Sequence, residues 1–167
     1  MSCNSLKNAL SSELILHAQD TQTLKQLILN GADINYQSLD GWCLLFECIS
    51  HDLPQTIKTL LKHNLNLYVK DSKGRTALFW AIYYEHTAVT KTLIALDYNL
   101  KLHVTKDLHA LHYAVYKNNI EIVNTLLDAG LSVDIRDNNN NTALDYAKHY
   151  QYTIMVELLE NRNTITA

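Results

Sequence analysis

The sequence predicts an all-α fold made of short helix–turn–helix repeats stacked in one array. Leucine recurs at an interval of 33 residues in two registers, one with Leu45, Leu78, Leu111 and Leu144 and one with Leu27, Leu60, Leu93, Leu126 and Leu159. The chain of 167 residues contains only four glycines and one proline, which are too few for a turn-rich β-sandwich or barrel. With 47% hydrophobic and 19% charged residues, its composition is typical of a globular protein.

The 33-residue interval divides the chain into five repeats, which we place at 5–37, 38–70, 71–103, 104–136 and 137–167 of a single domain spanning 1–167. A column of small residues supports this register, as does an apolar column of Val89, Ile122 and Met155. The small-residue column contains Cys48, Ala81, Ala114 and Ala147. Both columns are expected to lie in the core.

The repeats at the two ends of the chain have the patterns of caps. In the first repeat, Leu6, Leu10 and Leu14 are four residues apart and form one apolar stripe, whereas the other positions of that helix are mostly polar. The last repeat ends with Glu157, Glu160 and Arg162. A repeat array needs such polar outer faces at both ends.

The internal repeats each predict two short helices. In the second repeat, Asp52 precedes Pro54, which predicts an N-cap residue followed by a proline in the first turn of a helix. In the third repeat, we expect helices over residues 76–83 and 86–96, the second with Val89 and Leu93 on its buried face.

Two further columns predict backbone turns. One contains Gly41, Gly74, Asp107 and Asn140, and the other contains Gly31, Asn64, Asp97, Gly130 and Asn163. Glycine, asparagine and aspartate are the residues that best tolerate the left-handed conformation. We therefore expect a tight turn at the first column and the end of a helix at the second.

These repeats resemble ankyrin repeats. Residues 71–81 read DSKGRTALFWA, similar to the family's opening motif D-x-x-G-x-T-P-L-H-x-A, residues 30–35 read NGADIN, and residues 141–147 read NTALDYA. The resemblance covers residues 5–167. The sequence departs from the motif where Leu44, Ala77, Ala110 and Ala143 replace its proline. Of the motif histidines only His112 is present.

The resemblance implies a concave face formed by the first helices and the hairpin tips, and aromatic residues fill the columns expected on that face. Three columns of the first helices hold Trp80, Tyr113 and Tyr146, then Tyr83 and Tyr116, then Tyr84 and Tyr150, and Trp42 lies at a hairpin tip. Exposed aromatic residues dominate binding hot spots. The alternative is that Trp80, Tyr113 and Tyr146 pack sideways on one another and only stiffen the array.

The middle hairpin tips carry the basic residues Lys73, Arg75 and Lys106. These side chains could attract an acidic partner, although solvated loop charges would give the same pattern. Because the net charge is −3, from 14 basic and 17 acidic residues, we expect neither nucleic acid nor a membrane as the partner.

The histidines and cysteines offer alternative chemistry. His103, His109 and His112 are close in sequence and could bind zinc, but no cysteine or carboxylate completes a set of ligands. His109 stands in the motif's threonine position and is expected to cap a helix. Cys43 lies near a helix start, and Cys48 lies in the small-residue column, so both fit packing better than catalysis. We expect no cofactor and no metal.

We therefore predict a non-catalytic protein-binding module, a monomer with a binding area of about 800 Å² per partner. A second possible function is that of an inhibitor, an immunity-type protein or a host-directed effector, each of which would act by masking an enzyme or toxin. A third possible function is metal-binding or thiol-based activity. No N-terminal signal or run of 18 apolar residues is visible, so a cytoplasmic location is expected and export without such a signal stays open.

Overall fold

The structure of the protein is a computed structural model that describes residues 3–96, 104–105 and 107–165, with side chains described between residues 6 and 162 of these ranges. Asp97, His103 and Lys106, which the sequence analysis singled out, lie outside the described residues. Their predicted roles therefore stay predictions.

The fold is all-α, as predicted: ten helices account for the regular structure of the described residues. Isolated β-bridges close three of the hairpins, between Gln37 and Cys43, Lys70 and Thr76, and Arg136 and Thr142. The helices are α1 Cys3–Leu16, α2 Thr21–Leu29, α3 Leu44–Ser50, α4 Pro54–Leu61, α5 Ala77–Tyr83, α6 Thr87–Ala95, α7 Ala110–Tyr116, α8 Ile120–Asp128, α9 Ala143–His149 and α10 Thr153–Ile165.

The chain forms two compact units, residues 1–80 and 81–167, and the boundary between them falls within α5. In the first unit, α1 packs against α2 and α3, and α3 packs against α4. Its core contains Leu14, Leu24, Leu45 and Ile57, each at most 1% exposed. Leu6 is exposed, so only part of the predicted apolar stripe of α1 is buried.

In the second unit, α7 packs against α8 and α9, α9 packs against α10, and α6 packs against α8. The predicted core columns are confirmed here. Val89, Ile122 and Met155 are fully buried, as are Ala114 and Ala147 of the small-residue column. The small side chains let neighbouring helices approach closely, and the branched side chains fill the space between them.

The first helix of each pair ends in the same way from α3 onward. The residue two positions beyond each of α3, α5, α7 and α9 has a positive φ: 51° at Asp52, 61° at Glu85, 54° at Asn118 and 58° at Gln151. The next residue's N–H then donates to a carbonyl five residues earlier, as from Leu53 to Cys48 and from Asn119 to Ala114. This is the Schellman arrangement, which satisfies carbonyls at a helix end.

Two predictions about helix ends are wrong. The N-cap of α4 is Leu53 rather than Asp52, because Asp52 is the left-handed residue that ends the preceding turn. Pro54 does occupy the first turn, as expected. At Asn163 no helix ends, since α10 continues to Ile165.

The predicted tight turns are present at Gly41, Gly74 and Asn140, with φ values of 75°, 75° and 66°. Each predicted C-cap position at Gly31, Asn64 and Gly130 also has positive φ. In the hairpin that begins at Asp137, the carboxylate Oδ1 accepts hydrogen bonds from two backbone N–H groups within the turn, each at 2.9 Å.

Gly41 and Gly74 have the same φ but different surroundings, which makes them a matched pair for a stability test. A Cβ at Gly41 would lie 2.6 Å from Ser72 N and 2.7 Å from Asp71 Cα, whereas one at Gly74 would meet nothing within 4 Å. We expect Gly74→Ala to lower the free energy of unfolding by about 1 kcal/mol, through backbone strain alone. Gly41→Ala should cost about 1–3 kcal/mol more because backbone atoms must shift.

Urea unfolding followed by circular dichroism measures both variants. Equal losses of stability at the two positions would contradict the close approach of the Gly41 turn to the backbone at Asp71 and Ser72.

Candidate protein-binding surface

Four exposed tyrosines lie at the ends of first helices in the second unit, and we call them together the tyrosine patch. Its members are Tyr83, Tyr84, Tyr116 and Tyr150, with exposed fractions of 45%, 36%, 47% and 39%. Tyr83 and Tyr116 are the last residues of α5 and α7, and Tyr150 is the C-cap residue of α9. The patch therefore lies where the Schellman turns begin.

Ring contacts join the members of the patch in two pairs. The rings of Tyr83 and Tyr84 lie edge to face with centroids 5.1 Å apart, and those of Tyr116 and Tyr150 lie 5.6 Å apart. Beneath the exposed surface, Tyr113 stacks on Tyr116 at 6.0 Å. Such pairs stabilise by about 0.5–1.5 kcal/mol beyond their buried area, so they hold the rings in fixed positions.

Lys117 contributes to the patch although it is not among the site residues predicted from the sequence. Its Nζ lies 5.4 Å from the centre of the Tyr83 ring and 3.2 Å from Glu85 Oε1. The ion pair neutralises the ammonium group, and the patch is thus aromatic with a balanced charge. The position of Lys117 in the same 33-residue column as Tyr84 and Tyr150 was the sequence signal that could have identified it.

The expectation that Trp80 and Tyr113 face outward is wrong, since they are only 7% and 8% exposed. In the first unit, the Trp80 ring lies edge to face with Trp42 at 4.9 Å, and the guanidinium carbon of Arg75 lies 4.2 Å from its centre. Neighbouring side chains thus cover Trp80 within its own unit. Tyr113 lies under Tyr116. Both side chains are thus packed against residues outside their own column, and the alternative that Trp80, Tyr113 and Tyr146 pack on one another stays a prediction.

Trp42 is half-buried at its hairpin, and its Nε1–H donates to Glu47 Oε2 at 2.7 Å. Arg75 is not a freely solvated tip charge, because its Nε donates to Asp71 Oδ2 at 2.6 Å. Asp71 is itself buried and also accepts from two backbone N–H groups of its turn. Of the two described basic tip residues, only Lys73 presents an exposed side chain without a carboxylate partner in the described structure.

Tyr146 is half-buried and belongs to a hydrogen-bonded network rather than to the exposed patch. Its hydroxyl donates to Asp137 Oδ2 at 2.7 Å, and its ring contacts the fully buried His112. His112 Nε2 donates to the Asn141 carbonyl at 2.9 Å, which confirms its expected structural role. Two side chains thus fix the hairpin at 137–141.

The electrostatics of this network follow from its hydrogen bonds. Burial acts to raise the pKa of Asp137, but hydrogen bonds from Tyr146 and from the backbone of Asn141 and Asn139 outweigh it, so the pKa is lowered. Burial, together with the hydrogen bond to Asp137, raises the pKa of Tyr146 to about 12. The hydroxyl therefore remains a donor, and the carboxylate remains charged, at neutral pH.

Cys43 and Cys48 are buried free cysteines. Burial raises the pKa of Cys43 to about 11 and that of Cys48 to about 12, so both thiols are protonated at neutral pH. His109 occupies the N-cap position of α7 but makes no capping hydrogen bond, contrary to expectation. The described residues contain no group of three potential metal-binding side chains.

The fold and this surface define an α-helical repeat protein with an exposed aromatic patch. A family model for ankyrin repeats (3 copies) matches residues 14–104, and one for ankyrin repeats (many copies) matches residues 102–147. The first match covers more than half of the chain, and the protein belongs to the ankyrin repeat family. No curated protein matches the chain. Within the described ranges, no helix is long and apolar enough to cross a membrane.

Tyr146→Phe tests the hydrogen bond to Asp137. Because the folded pKa of Asp137 is below its unfolded value, its stabilisation is present above that value and is lost as the pH falls through the folded pKa. We expect the variant to be less stable by about 1–2 kcal/mol at neutral pH, with the difference shrinking below about pH 4. Urea unfolding across this pH range measures it.

Tyr150→Phe is the matched control, because the Tyr150 hydroxyl makes no hydrogen bond within the described residues. If the two variants were equally stable at neutral pH, the Tyr146 bond would contribute nothing.

The buried thiols can be tested in a Cys3→Ser variant, which leaves Cys43 and Cys48 as the only cysteines. At pH 8 we expect no fast reaction of the folded protein with a disulfide reagent such as DTNB, because the thiols are buried and their pKa values are raised. After unfolding in urea, both thiols should react. A fast reaction of the folded protein with the reagent would instead support the alternative of thiol-based activity.

Proposed function

We propose that the protein is a non-catalytic module that binds a partner protein through the tyrosine patch. Ankyrin repeats are generally protein–protein interaction modules. The observation that carries the proposal is two pairs of exposed tyrosines, Tyr83 with Tyr84 and Tyr116 with Tyr150, each held by a ring contact within one compact unit. Large exposed apolar clusters mark interaction sites on soluble proteins.

Tyrosine suits this role for two physical reasons. Each ring offers a large apolar area, and its hydroxyl can still hydrogen-bond at an interface. The side chain has only two rotatable angles, so ordering it on binding loses little entropy. In the patch, Tyr113 and Lys117 restrict the rings of Tyr116 and Tyr83 further. Such preorganisation lowers the entropy loss on association.

The charge of the surface supports a protein partner rather than nucleic acid. The net charge of the chain is −3, and the ammonium of Lys117 is paired with Glu85. Nucleic-acid surfaces need clustered unpaired lysine or arginine to displace counterions. The patch provides aromatic area instead, which supports an interface with an apolar centre and a polar rim.

The test compares a Tyr83→Ala/Tyr116→Ala variant with the wild-type protein as baits in affinity capture, followed by calorimetry with the purified captured partner. Both substitutions remove about half-exposed rings, so circular dichroism should show an intact fold. We expect the dissociation constant to rise at least about 30-fold, which corresponds to a loss of about 2 kcal/mol for a hot-spot pair.

Leu29→Ala/Tyr68→Ala is the matched control, since these side chains are 78% and 55% exposed and lie in the first unit. It should bind the partner as the wild type does. Equal affinity of the patch variant and the wild type would remove the tyrosine patch from the interface.

A further inference from the structure

A surface cavity of about 300 Å³ lies beside the tyrosine patch in the second unit. It is lined by Asn141, Asp145, Tyr146, His149 and Tyr150. Its volume is at the lower end of the range for small-ligand pockets, about 300–1,000 Å³, which suits one side chain better than a cofactor. The wall residues come from α9, from its C-cap residue Tyr150 and from the hairpin before the helix.

The cavity combines aromatic rings with a carboxylate. The ring centres of Tyr146 and Tyr150 lie 6.5 Å apart at an interplanar angle of 48°. The exposed Asp145 uses its Oδ2 to accept hydrogen bonds from Thr142 N and Oγ1, each at 2.7 Å. Its Oδ1 accepts no hydrogen bond from any residue that the structure describes. A carboxylate oxygen beside aromatic rings is an environment that favours an organic cation.

The walls of the cavity are held in place before any ligand enters. Tyr146 is fixed by its 2.7 Å hydrogen bond to Asp137. Tyr150 contacts Tyr116 and stacks with Tyr152, in both cases with ring centres 5.6 Å apart. Fixed walls reduce the entropy that is lost when a side chain is bound.

Two cations of the chain itself lie near Asp145 without occupying this position. Arg136 and Lys148 both contribute, after the hydrogen bonds from Thr142, to lowering the pKa of the carboxyl. Arg136 donates to the Asn140 carbonyl at 2.7 Å, and Lys148 pairs with Glu160 at 2.9 Å. Neither forms an ion pair with Asp145 in the described structure. The carboxylate therefore keeps one oxygen for an external cation.

We propose that this cavity receives a basic side chain, lysine or arginine, of the partner protein bound at the tyrosine patch. The proposal rests on the proposed function and adds the chemistry of the partner. The cation would lie against the rings of Tyr146 and Tyr150 and pair with Asp145 Oδ1. The Tyr150 ring, shared by the cavity and the patch, would join the basic residue to the apolar part of the interface.

The probe is the methyl ester of Nα-acetyl-lysine, titrated into the ¹⁵N-labelled full chain and followed by NMR. The control probe is the methyl ester of N-acetyl-norleucine, which has nearly the same aliphatic chain without the charge. We expect saturable shifts of backbone amides in residues 141–150 with the lysine ester only. Equal shifts with the norleucine ester would overturn the proposal.

Two variants locate the cation. Asp145→Asn should weaken binding of the lysine ester about threefold or more, as should Tyr150→Leu, which stays informative if the first variant disturbs the start of α9. Glu121→Gln is the matched control, because it removes one exposed negative charge elsewhere in the second unit. If Asp145→Asn and Glu121→Gln weakened binding of the lysine ester equally, the loss would be explained by the change in net charge alone, and the proposed site would be overturned.

The purified partner separates this inference from the proposed function. If Tyr83→Ala/Tyr116→Ala weakens the partner's binding but Asp145→Asn does not, the patch stands and the cation site in the interface is overturned. If the lysine ester binds in the cavity but the patch variant binds the partner normally, the proposed function fails and with it the cavity's role in the interface. Weakening by both variants supports both proposals.

Discussion

The structure depends on how very short helices end. From α3 onward, the first helix of each pair has only seven residues, so its last four carbonyls, more than half of the total, have no partner within the helix. The left-handed residues at Asp52, Glu85, Asn118 and Gln151 resolve this by directing two N–H groups back onto the helix end. Each turn then brings the chain straight into the second helix. The repeated geometry is therefore a consequence of hydrogen-bond satisfaction as much as of hydrophobic burial.

The same constraint explains where the candidate binding surface lies. Residues at the end of a first helix have their backbone fixed by the Schellman turn, but the side chain is beyond the closely packed small-residue column. Tyr83, Tyr116 and Tyr150 occupy these positions and remain exposed, whereas Trp80 and Tyr113, three residues earlier in their helices, are covered. The fold thus supplies a rigid row of positions where large aromatic side chains can contact both the array and a partner.

Much of the fold was predictable because hydrophobic residues that recur at a fixed interval in the sequence are the residues buried between the helices. The leucine registers, the small-residue column and the turns at Gly41, Gly74 and Gly130 all follow from side-chain size or backbone freedom at single positions. The positive φ values two residues beyond the first helices were not predictable in this way. Glu85 and Gln151 have no preference for the left-handed conformation, and tertiary hydrogen bonding overrides their propensity. The burial of Trp80 was missed because it depends on Trp42, 38 positions away, and on Arg75.

At the candidate site, the position of a residue within the 33-residue repeat predicts its exposure less well than the same reasoning predicts the core. A core position is defined by its helix face, but exposure depends on how far each neighbouring side chain reaches. Arg75 was expected as a free basic tip residue, yet the buried Asp71 binds its guanidinium and Trp80 lies beneath it. Conversely, Asp145 belongs to the capping box of α9, and the sequence alone would give it a purely structural role. Because a carboxylate has two oxygens and the capping box uses one, the same residue can hold the helix start and still offer an acceptor to a partner.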